Sequence, residues 1–184
     1  MDRAPFTVSR NGVLFIANRE ALVLTAYQDG PHPSIGFGSN SRDLRVGDTI
    51  TVKDAFARLK ADIAARESIV YRALRVALSR QQADALCSFY YQNGNKRDGQ
   101  GRPGFTRMIQ LINAGQIDEA AAYFPECDRN SAGEQKAGLS KRRLLEQAVF
   151  QRGDYGQLDP IPYWPGAPVG PPQQYHLKPG DLDA

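Results

Sequence analysis

Histidine and cysteine are scarce in this chain, two of each in 184 residues. A metal site built on these ligands needs several of them at short, regular spacings, and Cys87 and Cys127 stand too far apart to supply one. A zinc site is therefore not expected. Two cysteines do not imply a disulfide either. Cys87 falls in an apolar helical run, where it reads as a small buried hydrophobe, and free thiols are expected at both positions. Long apolar runs are missing too: none approaches the roughly 18 residues of a membrane span. The opening stretch MDRAPFTVSRNGVLF carries an acid at position 2 and no extended apolar segment, so no secretory signal is expected. Neither sign of charge dominates. Twenty-three basic and 20 acidic side chains leave a net charge of +3, which gives either a mild attraction to polyanions or an ordinary mixed surface. No internal repeat is visible.

The apolar fraction of 41% is enough for a core, and the length suits one domain or two small lobes. Residues 9–20 read as a helix, with Ser9 as its N-cap and Val13, Ile16 and Ala17 on one face. Residues 22–50 break that period. Their β-formers are interrupted by Asp-Gly, Pro31, Pro33, Gly36 and Gly38, the pattern of a small sheet of short strands. Thr51 is placed to cap a long helix running to about residue 73. Ser79, with Gln82 three residues on, fits a capping box for the next helix. Two polar loops, two shorter helices and a last helix ending at Gly153 follow. Beyond residue 154 the composition changes, with seven of the 12 prolines in the remaining stretch. The expected organisation is a domain over 1–154, with a sheet lobe at about 21–50 and a helical lobe at about 75–153 that includes helix 9–20. A proline-rich extended tail over 155–184 follows. This is an α+β chain with its sheet segregated at one end, joined to the helical lobe by the long helix. A groove between such lobes is a common place for a ligand.

The segment REALVLTAYQDGPHPSIGFGSN places Glu20 at a helix end, Asp29 in a glycine- and proline-rich turn, and Ser34 shortly after. Two carboxyl groups with different surroundings are what glycoside cleavage requires: one protonates the leaving oxygen, the other activates water or attacks directly. Glu20, partly desolvated at the helix end, suits the donor. Asp29, in an open polar turn, suits its counterpart, with Ser34 holding a water beside it. An Asp-Gly step is also an ordinary hairpin turn, and spacing alone does not decide between the two.

The surrounding residues do. SRNGVLFIANREALVLTAYQDGPHPSIGFGS resembles the opening of the phage-type lysozymes of glycoside hydrolase family 24. ITVKDAFARLKADI, LSRQQADALCSFYYQNG, GFTRMIQLINAG and GLSKRRLLEQAVFQRG follow in the family's order. The blocks together span residues 9 to about 153. The resemblance implies a lysozyme-like α+β fold. It also implies a cofactor-free hydrolase of the β-1,4 bond between N-acetylmuramic acid and N-acetylglucosamine, usually inverting. Glu20 matches the family's general acid, Asp29 its water-activating carboxylate and Ser34 its catalytic threonine. Arg142 matches an arginine that pairs with the catalytic glutamate. Asn40, Tyr91, Gln92 and Asn93 fall where the family contacts sugar. Three features depart from the pattern: the Asp-to-hydroxyl spacing is one residue short, the hydroxyl is serine, and Ser39 stands where histidine is common.

A family member of this kind implies bacterial peptidoglycan as partner, no nucleic acid, no stable membrane insertion and a monomer. It would be held in the host cytoplasm until a holin opens the membrane toward the wall. An exported toxin and a virion lysin fit equally. The alternative is a weakly active or non-catalytic wall-binding protein on the same fold, motivated by the shortened turn and Ser34. The basic cluster Lys141-Arg142-Arg143 also raises nucleic-acid binding, but no groove-reading array accompanies it.

Overall fold

The computed structural model describes residues 6–130 and 132–183. Helix α1 (Arg10–Glu20) leads into strands β1 (Leu22–Asp29), β2 (His32–Gly36) and β3 (Ser39–Asn40). Helices α2 (Val52–Ala73), α3 (Arg80–Asn93), α4 (Gly104–Asn113) and α5 (Ile117–Tyr123) come next. A 3-10 turn over Phe124–Cys127, helix α6 (Ala137–Arg152) and strands β4 (Ile161–Trp164) and β5 (Gln173–Tyr175) complete the chain. Six helices and one five-stranded mixed sheet make this an α+β protein. Among the described residues no helix is long and apolar enough to cross a membrane. The helix starts follow the sequence signals. The Ser9 hydroxyl accepts from the Gly12 amide at 3.1 Å, and Thr51 and Asp54 cap each other at the head of α2. Ser79 and Gln82 form the expected capping box on α3.

Two compact units divide the chain. The sheet unit comprises Val13–Ile63 and the described residues from Gln157 on. Its strand order is β3-β2-β1-β4-β5. β1 pairs antiparallel with β2, and β2 with β3. β4 joins β1 in parallel, then pairs antiparallel with β5. Phe37 packs on Phe56 with ring centroids 4.8 Å apart, and Leu22, Ile35, Leu59, Ile161 and Leu182 are buried. The proline-rich end therefore does not stand apart as an extended tail. Its two strands complete the sheet, and Ile161 and Leu182 supply part of the apolar burial. Strands of four and three residues are too short to show a period in the sequence, and proline masks them further.

The helical unit comprises the described residues through Gly12 and Ala64–Gly156. Phe89, Phe124 and Phe150 pack in series, edge-on then tilted, at 5.5 Å steps in its core. Both cysteines are free and buried there, and burial pushes both thiols up, Cys127 to about 12. This unit builds one loop twice, although the sequence shows no repeat. Arg97 and Arg129 each donate to a glycine carbonyl four residues on, Gly101 and Gly133. Asp98 and Asn130 each accept amides two and four residues on. Isolated bridges, Arg97 with Pro103 and Arg129 with Gln135, close the two loops. The first leads into α4 and the second into α6.

Asp98 is the better anchored of the two. Burial pushes its carboxyl up, but the Tyr123 hydroxyl, the Arg102 side chain and the amides of Arg102 and Gln100 outweigh burial. Together they hold it at about 2, below the ordinary 3.8. A carboxylate depressed in the folded state stabilises the fold above its unfolded pKa, and that stability is lost as pH falls through the folded value. The thermal midpoint is thus expected to fall between pH 4 and pH 2. Asp98→Asn should be less stable at pH 7 and lose less over that interval, as read by thermal melts at each pH.

Candidate active site

Helix α1 stops at Glu20 and the chain turns through Ala21 into β1. The Ala21 amide donates to the Ala17 carbonyl at 3.0 Å, closing the last helical turn. Its φ of 62° is left-handed, a conformation usually left to glycine at this place and costing about 1–2 kcal/mol for a residue with a Cβ. Glu20, immediately before it, is half-buried.

β1 and β2 are joined by the two residues Gly30 and Pro31. Gly30 takes a φ of 66° and proline fixes the next φ near about −65°, the sequence of a tight hairpin turn with glycine first. This is how the shortened spacing is accommodated. The turn pairs Asp29 with His32 and Tyr27 with Ser34. Ser34 is buried at 1% exposure, and its hydroxyl donates to Asp29 Oδ2 at 3.0 Å, while Asp29 itself is exposed. On the next strand Asn40 stands opposite Ser34. Directly opposed residues share a face, so Asn40, Ser34 and Tyr27 form a row across three strands, and Asp29 lies two residues along from Tyr27.

Tyr27 lies in the field of both acids. Burial raises its phenol above the ordinary value, and the charges of Asp29 and then Glu20 raise it further. One hydroxyl thus lies within electrostatic range of both carboxylates.

The remaining predicted residues belong to the helical unit. Tyr91, half-buried on α3, carries the Arg66 guanidinium 4.2 Å from its ring centre. The Gln92 side-chain oxygen accepts from Arg143. Asn93 is 2% exposed and its amide nitrogen donates to the Lys96 carbonyl at 3.5 Å. Arg142, on α6, is 7% exposed, with Nε on Glu146 Oε1 at 3.0 Å and Nη2 on the Ser88 carbonyl at 3.5 Å. Glu146 is wholly buried. It also accepts from Arg143 and from the Ser88 hydroxyl at 2.8 Å. Burial pushes the Arg143 guanidinium down, and Glu146 opposes this. Through Glu146 and Arg143, Gln92 and Arg142 share one ion network.

The sheet therefore brings Asp29, Ser34 and Asn40 together, with Glu20 at the entry to β1, while α3 and α6 hold the other four. Tyr27 and Glu146 were not singled out from the sequence, and Arg143 was noted only as part of a basic cluster. Tyr27 sits inside the LTAYQD stretch between the two acids, and Glu146 follows Arg142 and Arg143 at the four- and three-residue spacings of helical ion pairs. Both signals were present. Among the described residues no group of three or more histidine, cysteine, aspartate or glutamate side chains is placed to hold a metal ion.

Residues 17–146 match the family described as phage lysozyme. The endolysin of Bacillus phage PZA is 35% identical over 149 residues, which cover 79% of this chain and 55% of that protein; the chain spans about half that relative's length. The endolysin of Acyrthosiphon pisum secondary endosymbiont phage 1 is 30% identical over 150 residues, 78% of this chain and 97% of that one. Among solved structures, the endolysin from Escherichia coli O157:H7 phage FAHEc1 has a TM-score of 0.73 at 26% identity. That match covers 85% of this chain and 100% of that chain. The family match takes in Glu20, Asp29, Ser34 and Arg142 and stops short of β4 and β5.

Proposed function

This chain belongs to the phage lysozyme family, and from that premise we propose that it is an enzyme that hydrolyses bacterial peptidoglycan. The bond cut is the β-1,4 link from N-acetylmuramic acid to N-acetylglucosamine. Glu20 gives its proton to the leaving glycosidic oxygen. Asp29 takes a proton from the attacking water, and Ser34 fixes both the carboxylate and that water. Attack from the face opposite the leaving group inverts the sugar carbon in one displacement. Asn40, Tyr91 and Gln92 are the sugar contacts and Arg142 is a supporting residue, whereas Asn93, 2% exposed and bonded to the Lys96 carbonyl, is too buried to reach a sugar. The setting is a monomer held in the host cytoplasm until a holin opens the way to the wall.

The hydrogen bond from Ser34 to Asp29 is the observation that carries this reading. A buried hydroxyl spent on an exposed carboxylate does little for a core, but it does set the angle at which that carboxylate meets solvent. Mass analysis of purified sacculi digested by the chain tests the proposal. Reducing muramic ends that have gained one water are expected. Anhydro ends would mean internal transfer instead of hydrolysis, and no new ends would mean a wall-binding protein.

Ser34→Ala separates positioning from chemistry. A hydrogen bond to a charged group contributes about 1.5–3 kcal/mol, and each 1.4 kcal/mol is about tenfold in rate. Initial rates of sacculus clearing are therefore expected to fall about 10- to 100-fold, with the melting midpoint lowered by about 3–12 °C and the variant still folded by circular dichroism.

A further inference from the structure

The C-terminal strands lie beyond the family match, and their contacts gather at the junction where α1 becomes β1. Asn18, two residues before Glu20, donates from Nδ2 to the Pro160 carbonyl at 2.8 Å. β4 then runs beside the start of β1, with Tyr163 opposite Leu22 and Trp164 opposite Val23. These two attachments bracket Glu20 and Ala21 from either side in sequence. Thr25 adds a third, its hydroxyl donating to the Pro165 carbonyl at 2.9 Å. The segment is itself seated: Ile161 is wholly buried and Leu182 is 7% exposed, and the Lys60 ammonium donates to the Leu182 carbonyl. Between the attachments stands Ala21 in its left-handed conformation. A left-handed residue with a Cβ is strained there, and the attachments on either side hold the turn that carries Glu20.

We propose that the segment from Gln157 onward is a built-in brace for the proton donor. Asn18 and β4 are positioning elements that hold the Glu20 carboxyl at the angle its proton transfer requires. The inference rests on the role proposed above for Glu20. Displacing a reacting group by about 1 Å costs on the order of 100-fold in rate, and deleting an attachment that holds the turn carrying Glu20 should cost about tenfold.

Kinetics of the full-length chain on solubilised peptidoglycan test this. Asn18→Ala and Thr25→Val each delete one hydrogen bond to the segment, but only the first sits in the turn that carries Glu20. Asn18→Ala is expected to lower kcat about tenfold, leave KM within about twofold, and shift the limb of the kcat–pH profile that reports the proton donor. Thr25→Val is expected to keep the wild-type kcat and profile even where its thermal midpoint falls. Ile161→Ala, which loosens β4 without touching Asn18, should reproduce the kcat loss and the shifted limb. Wild-type kcat and pH profile in Asn18→Ala would overturn the brace alone, as would a loss of the same size in Thr25→Val. A wild-type chain that released no reducing ends would overturn the hydrolase reading and the brace with it.

Discussion

Glu20→Gln is expected to fold as the wild type does and to lose about 1,000-fold in the release of reducing ends from purified sacculi. The substitution keeps the size and shape of the side chain and removes only the proton it can give. Glu20 is half-buried at the end of α1, so an amide there is tolerated by the fold. A positioned general acid supplies about 10²- to 10⁴-fold, and loss of protonation at the leaving oxygen leaves the sugar bond to break against a poor leaving group. Circular dichroism and the melting midpoint check that the variant is folded; sugar release checks the chemistry. Retained clearing at the wild-type rate would remove Glu20 from the mechanism.

Glu146→Ala is expected to have the largest effect on stability. The carboxylate is wholly buried and accepts from Arg142, Arg143 and Ser88. Arg143 is also wholly buried, and its Nε has no hydrogen-bond partner among the described residues. Removing the acid leaves buried positive charge with little to offset it, which costs about 3–5 kcal/mol. At about 2–4 °C per kcal/mol for a chain of this size, the melting midpoint should fall by roughly 10 °C. The double variant Arg143→Met with Glu146→Leu should lose less, because it removes charge from both sides. Equal losses in the two variants would show that packing volume, not uncompensated charge, governs the site. Activity should fall in Glu146→Ala as well, since Arg143 holds the Gln92 side chain and Glu146 holds Arg142.

What could be read from the amino-acid order was mostly local. The capping box of Ser79 and Gln82 and the N-cap of Ser9 are contacts over three residues, and both are present in the structure. The Asp29 turn was equally local, because glycine followed by proline leaves little conformational choice. Contacts between distant residues were hidden. Ser88 and Glu146 are 58 residues apart in sequence, and nothing in either neighbourhood announces the other. The pairing of β4 with β1 was hidden for a similar reason. Four residues with one proline carry almost no strand signal of their own, and they become a strand because the start of β1 offers them a partner. The left-handed Ala21 was also invisible, since a sequence usually marks that conformation with glycine.

The outer strands of the sheet have a consequence for life at high concentration. β3 has two residues and β5 has three, and Pro171 and Pro172 stand directly ahead of β5. Neither border offers a row of free amides and carbonyls long enough for another chain to lie down on. The chain can therefore be crowded without zipping its sheets together.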